Sequence, residues 1–132
     1  AIRPSQHVIE PLNGYIILAE KASTNGNYSG GWNFGPTKES FQSVEWITKE
    51  LFKRLDEDYS KIEIENDEDM PESQILKLSI KKAVTKLGWK PALTLQNSLD
   101  LIISWNKAWN SKENMYNFSK SQIHNYLSRK VP

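Results

Sequence analysis

Residues 3–12 of the chain read RPSQHVIEPL, and this stretch sets the beginning of the first helix. Proline has no amide proton and is tolerated in the first helical turn, so Pro11 predicts a helix that begins near Glu10. The apolar residues that follow recur at the spacing of one helical face: Leu12, Tyr15, Ile16 and Ala19. The stretch therefore predicts a polar turn followed by an amphipathic helix.

Two further helices have recognisable first residues. Ser43 can accept a hydrogen bond from the first turn of a second helix, and Thr94 can do the same for a longer one. Between them, Ser79 predicts a short helix that ends at Leu87, because Gly88 can adopt the left-handed conformation just past a helix end. We predict three helices from these positions.

The last helix shows a capping-box pattern. Ser119 and Gln122 have the spacing at which a hydroxyl and an amide satisfy each other's backbone donors. We therefore expect this helix to begin just after Ser119.

Three short segments have the composition of strands. Trp32–Phe34 is an aromatic run closed by Gly35 and a proline, and it predicts a buried strand. Two alternating pairs predict two more strands: Ile62 with Ile64, and Leu76 with Leu78. Three strands are too few for a complete sheet, so the sequence suggests a part of something larger.

Composition excludes several classes of protein. The 132 residues suggest one domain, 1–132, and 38% hydrophobic with 25% charged residues is usual for a soluble chain. The net charge of +1 argues against a nucleic acid or an anionic membrane as partner. There is no cysteine and no long apolar run. We therefore expect a soluble, cytoplasmic protein with no membrane contact.

The sequence contains little chemistry of its own. It has no glycine-rich nucleotide loop, and its two histidines, His7 and His124, lack the spacing of a zinc site. We predict no metal and no catalytic residue here. One polar cluster comprises Arg3, Ser5, Gln6 and His7, before the first helix. It is either an anion site or a solvated turn, since arginine and free helix amides can bind anions together.

Asn33 is the remaining candidate residue. It lies at the end of a predicted strand, before the turn formed by Gly35 and Pro36, where α/β sheets often bind ligands. A plain strand-to-loop turn explains the same residues equally well.

The order of motifs resembles CDP-glucose 4,6-dehydratases. Residues 3–12 are similar to the R-P-W-Q-H-V-x-E-P-L segment of that family, and residues 32–36 (WNFGP) match the segment that follows. Residues 76–91 are similar to its L-K-L-D-x-x-K-A…L-G-W-x-P segment. The resemblance extends over the whole chain, although Ser5 and Ser79 replace a tryptophan and an aspartate, and residues 70–73 also differ.

The resemblance implies a fold and a ligand. The fold is α/β, mostly helical with a few short strands: the C-terminal, substrate-binding lobe of an extended short-chain dehydrogenase/reductase, lacking the Rossmann NAD-binding half. Arg3 corresponds to the arginine that binds the diphosphate of the nucleotide-sugar, here CDP-glucose, with Gln6 and His7 as expected neighbours. Asn33 is a further expected substrate contact because of its place at the predicted strand end.

The resemblance also implies an activity in which this chain takes part. These enzymes use NAD to convert CDP-glucose to CDP-4-keto-6-deoxyglucose, for bacterial surface polysaccharides. Their cofactor loop and Y-x-x-x-K pair have no counterpart here, so we expect no turnover by this chain alone. It is either a fragment that pairs with an N-terminal NAD-binding domain, a stand-alone nucleotide-binding or assembly module, or a helical protein-interaction domain. Exposed apolar surface would favour a homo-oligomer.

Overall fold

Four helices form most of the structure. The computed structural model describes residues 1–65 and 78–129. The helices are α1 (Ile9–Thr24), α2 (Val44–Leu55), α3 (Leu95–Asn110) and α4 (Met115–Arg129). Two short strands, β1 (Ile2–Pro4) and β2 (Phe41–Ser43), pair antiparallel. Single helical turns lie at Gly26–Tyr28, Lys38–Ser40, Tyr59–Lys61 and Ala83–Leu87, the last of them π-helical. The fold is mostly helical with one short sheet.

Three of the predicted helix ends are confirmed. The Ser43 hydroxyl accepts a hydrogen bond from the amide of Trp46 at 3.1 Å, and the Thr94 hydroxyl accepts one from the amide of Asn97 at 3.1 Å. Gly88 has φ of 68° and ends the π-helical turn in the left-handed conformation. These ends depend on bonds within a few residues, so the local sequence is sufficient to predict them.

The predicted beginning of α4 is wrong. The helix begins at Met115, and the side chain of Asn114 caps it by accepting a hydrogen bond from the amide of Asn117 at 3.1 Å. Ser119 and Gln122 lie inside the helix, where their side chains bond to α3 at 3.0 Å each. The capping-box pattern was therefore matched by two residues that make tertiary contacts.

The strand predictions are also wrong wherever the structure describes them. Residues 32–34, 62–64 and Leu78 lie outside any strand, and Leu76 is not among the described residues. A strand requires a neighbour with which to exchange hydrogen bonds, and residues 32–34 lie alongside a turn instead. The strands that do form, β1 and β2, were not predicted, since three residues are too few to show alternation.

The main core surrounds two aromatic rings. Phe34 and Trp89 are buried and meet edge to face, with ring centroids 5.0 Å apart and an interplanar angle of 87°. Ala83 and Leu87 complete the buried cluster, and Ile17 and Leu18 of α1 pack against it. Phe34 thus stays buried without being part of a strand.

The buried face of α1 differs from the one predicted. Leu12, Tyr15 and Ile16 are 48%, 55% and 62% exposed. The buried positions of α1 are Ile9, Glu10 and Gly14. A glycine is invisible to a pattern of apolar residues, yet here it allows the Phe34 ring to lie directly against the helix. The apolar face that the sequence predicts for α1 exists, but it is exposed.

Gly14→Ala should destabilise the protein by about 1–3 kcal/mol, because a methyl group there would overlap the buried Phe34 ring. This cost exceeds the gain of about 1 kcal/mol in helix propensity. Gly26→Ala is the matched control, since a methyl group there meets no atom within 4 Å. Urea denaturation of the two variants tests the difference. Equal stabilities would show that Phe34 can move aside without cost.

Candidate functional site

The four candidate residues lie in two neighbouring segments. Arg3 is a half-buried residue of β1 and pairs with Gln42 of β2. Gln6 and His7 form the turn between β1 and α1, whereas Asn33 is exposed in the segment before Phe34.

A hydrogen bond from Gln6 connects the two segments. Its Nε2 donates to the carbonyl of Phe34 at 2.8 Å, which brings the turn before α1 against the residue that follows Asn33. The Oε1 atom of Gln6 is buried and has no hydrogen-bond partner among the described residues. The structure therefore brings Gln6 close to Asn33, which is 27 positions further along the chain.

Three backbone amides at the beginning of α1 donate hydrogen bonds within the protein. The amide of Ile9 donates to Nδ1 of His7 at 3.1 Å, and that of Glu10 donates to the carbonyl of His7 at 3.1 Å. Pro11 has no amide proton, and the amide of Leu12 bonds to the carbonyl four residues earlier. The amides of Ile9, Glu10 and Leu12 are therefore already bonded within the protein.

The same bond sets the protonation of His7. Since Nδ1 accepts a hydrogen bond, the neutral ring carries its proton on Nε2. Burial lowers the pKa of His7 below its usual value, and the nearby Glu10 carboxylate opposes this only in part. His7 is thus a neutral donor rather than a cation.

A buried carboxylate, which we call the Glu10 clasp, lies beside the candidate residues. Glu10 is 1% exposed. Its Oε1 accepts from the amides of Ala92 and Leu93 at 2.8 and 2.6 Å, and its Oε2 accepts from the hydroxyl of Tyr126 at 2.6 Å. Burial, followed by the bond to Glu10, raises the pKa of Tyr126. The clasp joins α1, the loop before α3, and α4.

Sequence reasoning missed the clasp. A glutamate in the first turn of a helix is favourable next to the positive end of the helix dipole, and it is ordinarily solvated. The residues that bury it are 82, 83 and 116 positions away in the chain. No local pattern connects them.

An apolar groove of about 490 Å³ lies between α1, α3 and α4. We call it the apolar groove. Two titratable residues line the groove: His7, from the turn before α1, and Tyr126, from α4. Its apolar lining comprises Val8, Ile9, Leu12, Ile16, Ile102, Trp105, Ile123 and Leu127.

The described residues give no sign of a metal site or a membrane span. In residues 1–65 and 78–129, no three histidine, cysteine or acidic side chains are grouped as they would be around a metal ion. In the same residues, no helix has both the length and the apolar character needed to cross a membrane.

Comparison with known proteins supports the resemblance noted from the motifs. The chain is 40% identical over 129 residues to a CDP-glucose 4,6-dehydratase from Salmonella typhimurium. The match covers 97% of this chain and 36% of that protein, in its C-terminal region, so the chain spans about a third of its relative's length. No protein-family model matches the chain.

Proposed function

We propose that this chain, which is similar to the C-terminal region of a CDP-glucose 4,6-dehydratase, is the nucleotide-sugar-binding part of such an enzyme. The similarity supports a dehydratase-related function. The observation that carries the proposal is that the match runs over 97% of the chain, including the turn with the candidate residues. In the proposal, the ligand is CDP-glucose.

Arg3 is the proposed contact to the diphosphate. With the amides of Ile9 and Glu10 already bonded, a guanidinium is the group of this turn best suited to a phosphate, because its fork of donors can bind two oxygens at once. The exposed amide of Asn33 can donate to and accept from a sugar hydroxyl. Neutral His7 offers one further donor, its Nε2–H.

The cofactor of the proposed reaction is NAD, which would take hydride from the sugar and later return it. These 132 residues contain neither a glycine-rich dinucleotide loop nor a Y-x-x-x-K pair, so they do not fit NAD. We propose that this chain contributes substrate contacts and that an N-terminal region, corresponding to the other part of the relative's length, holds the cofactor. We expect no turnover by the 132 residues alone.

Binding of CDP tests the role of Arg3. The chain should bind CDP more tightly than CMP in calorimetry, and Arg3→Ala should weaken CDP binding about 10- to 100-fold, since a hydrogen bond to a charged group contributes about 1.5–3 kcal/mol. Arg129→Ala, at the end of α4, is the control and should leave the affinity unchanged. An Arg3→Ala variant that binds like the wild type would exclude this contact.

The exposed apolar surface supports a protein partner. The apolar groove and the exposed face of α1 present Leu12, Ile16 and Ile123, each 48% or more exposed, on one side of the molecule. We propose that the N-terminal NAD-binding region covers this surface. The same observation favours the second candidate function, an assembly module without catalysis.

The isolated chain should self-associate through this surface. Ile16→Lys should shift it towards the monomer, because a buried lysine charge is costly in an apolar contact. Ala22→Lys, on the same helix but outside the groove, is the matched control. Sedimentation at increasing concentration measures the effect. A wild-type chain that stays monomeric at high concentration would contradict the prediction.

A further inference from the structure

We propose that Glu10 is a positioning residue for the candidate anion site, because its clasp fixes the turn that carries Gln6 and His7. The inference deepens the proposed function and relies on it for the identity of the ligand. The geometry it predicts can be measured without any ligand.

The backbone and the side chain of Glu10 act on different parts of the protein. Its amide donates to the carbonyl of His7 at 3.1 Å, so its main chain is bonded directly to the turn. Its carboxylate receives the amides of Ala92 and Leu93 and the hydroxyl of Tyr126, at 2.6–2.8 Å. Three donors from two other elements leave a buried side chain very little freedom to change rotamer. The turn is therefore anchored to the rest of the fold through one residue.

The anchored turn fixes the orientation of the His7 ring. With Glu10 in place, the amide of the adjacent Ile9 points at Nδ1 of His7 at 3.1 Å. This bond keeps the proton on Nε2, where the ring can offer it to a ligand, and His7 lines the apolar groove. If the turn moves, this bond is lost. The neutral imidazole can then exchange between its two tautomers.

The charges around His7 are few. Glu10 acts on it from α1, and Tyr126 is the titratable group of the groove that comes from α4. The groove residues of α3, Ile102 and Trp105, carry no charge. A substitution of Tyr126 should therefore alter the pKa of His7 mainly through the Glu10 carboxylate.

Nitrogen NMR of the two histidine rings tests the proposal. In the wild type, His7 should show an unprotonated Nδ1 and a protonated Nε2. Tyr126→Phe removes one of the donors to Glu10 and leaves the carboxylate freer to turn. We expect the His7 ring to become a mixture of tautomers and its titration midpoint to rise by about 1 pH unit, since a nearby negative charge favours the protonated ring. His124, an exposed residue of α4, is the internal reference and should not change.

Two further variants separate positioning from loss of stability. Glu10→Gln keeps the shape of the side chain but removes its charge, so the His7 midpoint should fall rather than rise. Ser98→Ala removes a buried hydroxyl of α3 that does not line the groove. It should lower stability and leave the His7 tautomer unchanged. Folded Tyr126→Phe and Glu10→Gln variants with the wild-type tautomer and midpoint would overturn the proposal.

If the variants do not fold, amide hydrogen exchange of the wild type tests the proposal instead. The amides of Ala92 and Leu93 should exchange with solvent much more slowly than those of exposed loops, because both donate to the clasp. Exchange at the rate of an exposed loop would overturn the proposal.

CDP binding is measured in parallel and should weaken about 10-fold in Tyr126→Phe. A wild type that binds no CDP but shows the expected His7 ring would count against the proposed function alone.

Discussion

Trp89→Ala should lower the free energy of unfolding by about 3–5 kcal/mol, the usual cost of removing a large aromatic side chain from a core. Trp89 is 1% exposed and its ring packs edge to face on Phe34. The indole belongs to the same buried cluster as Ala83 and Leu87, so its loss leaves a cavity in the core. Urea denaturation followed by far-ultraviolet circular dichroism measures the change, which would be a large part of the stability of a small domain.

A second tryptophan gives a matched control for this prediction. Trp109 is 59% exposed and stacks on Trp105 at 5.8 Å. Trp109→Ala should therefore cost less than about 1 kcal/mol, because little of its surface is removed from water. If the two variants lost equal stability, Phe34 and Trp89 would not form the centre of the core.

Glu10→Ala should destabilise the protein by a similar amount, about 3–5 kcal/mol. The substitution removes the acceptor of the Leu93 amide, which is buried, as well as that of the Ala92 amide and the Tyr126 hydroxyl. Buried donors without an acceptor cost the full free energy of their desolvation. Thermal unfolding should show a melting temperature lower by more than 10 °C, since 1 kcal/mol corresponds to about 4 °C in a domain of this size.

Two other glutamate substitutions serve as controls for the stability lost in Glu10→Ala. Glu20→Ala, at an exposed position of the same helix, should change the stability by less than about 0.5 kcal/mol. Glu10→Gln retains one acceptor oxygen and should lie between the wild type and Glu10→Ala. A Glu10→Ala variant as stable as Glu20→Ala would mean that water replaces the carboxylate in the clasp.

The parts of the fold that the sequence predicts correctly depend on local bonds. Ser43, Thr94 and Gly88 end or begin their elements through contacts within a few residues. Ser119 and Gln122 match a local pattern equally well, but tertiary bonds to α3 use their side chains. A sequence pattern cannot distinguish a side chain that caps its own helix from one that bonds to its neighbour.

The candidate site residues come from the sequence, and their roles stay predictions. The motif resemblance identifies the turn that contains Arg3, Gln6 and His7, and comparison supports that resemblance. The roles of these residues remain proposals. The amide of Ile9, expected to be free at the helix beginning, is bonded to Nδ1 of His7. Glu10 could not be identified, since its partners come from two distant parts of the chain.

The distance along the chain between Glu10 and Tyr126 has a consequence for the order of folding. The two residues are 116 positions apart, so their bond closes a long loop of the chain. Contacts of such long range form late, because the entropy of loop closure has to be offset first. During synthesis, α1 emerges from the ribosome long before α4. The Glu10 carboxylate therefore stays solvated until Tyr126 of α4 is available to donate to it. The first of these four helices is thus fixed by a contact with the fourth.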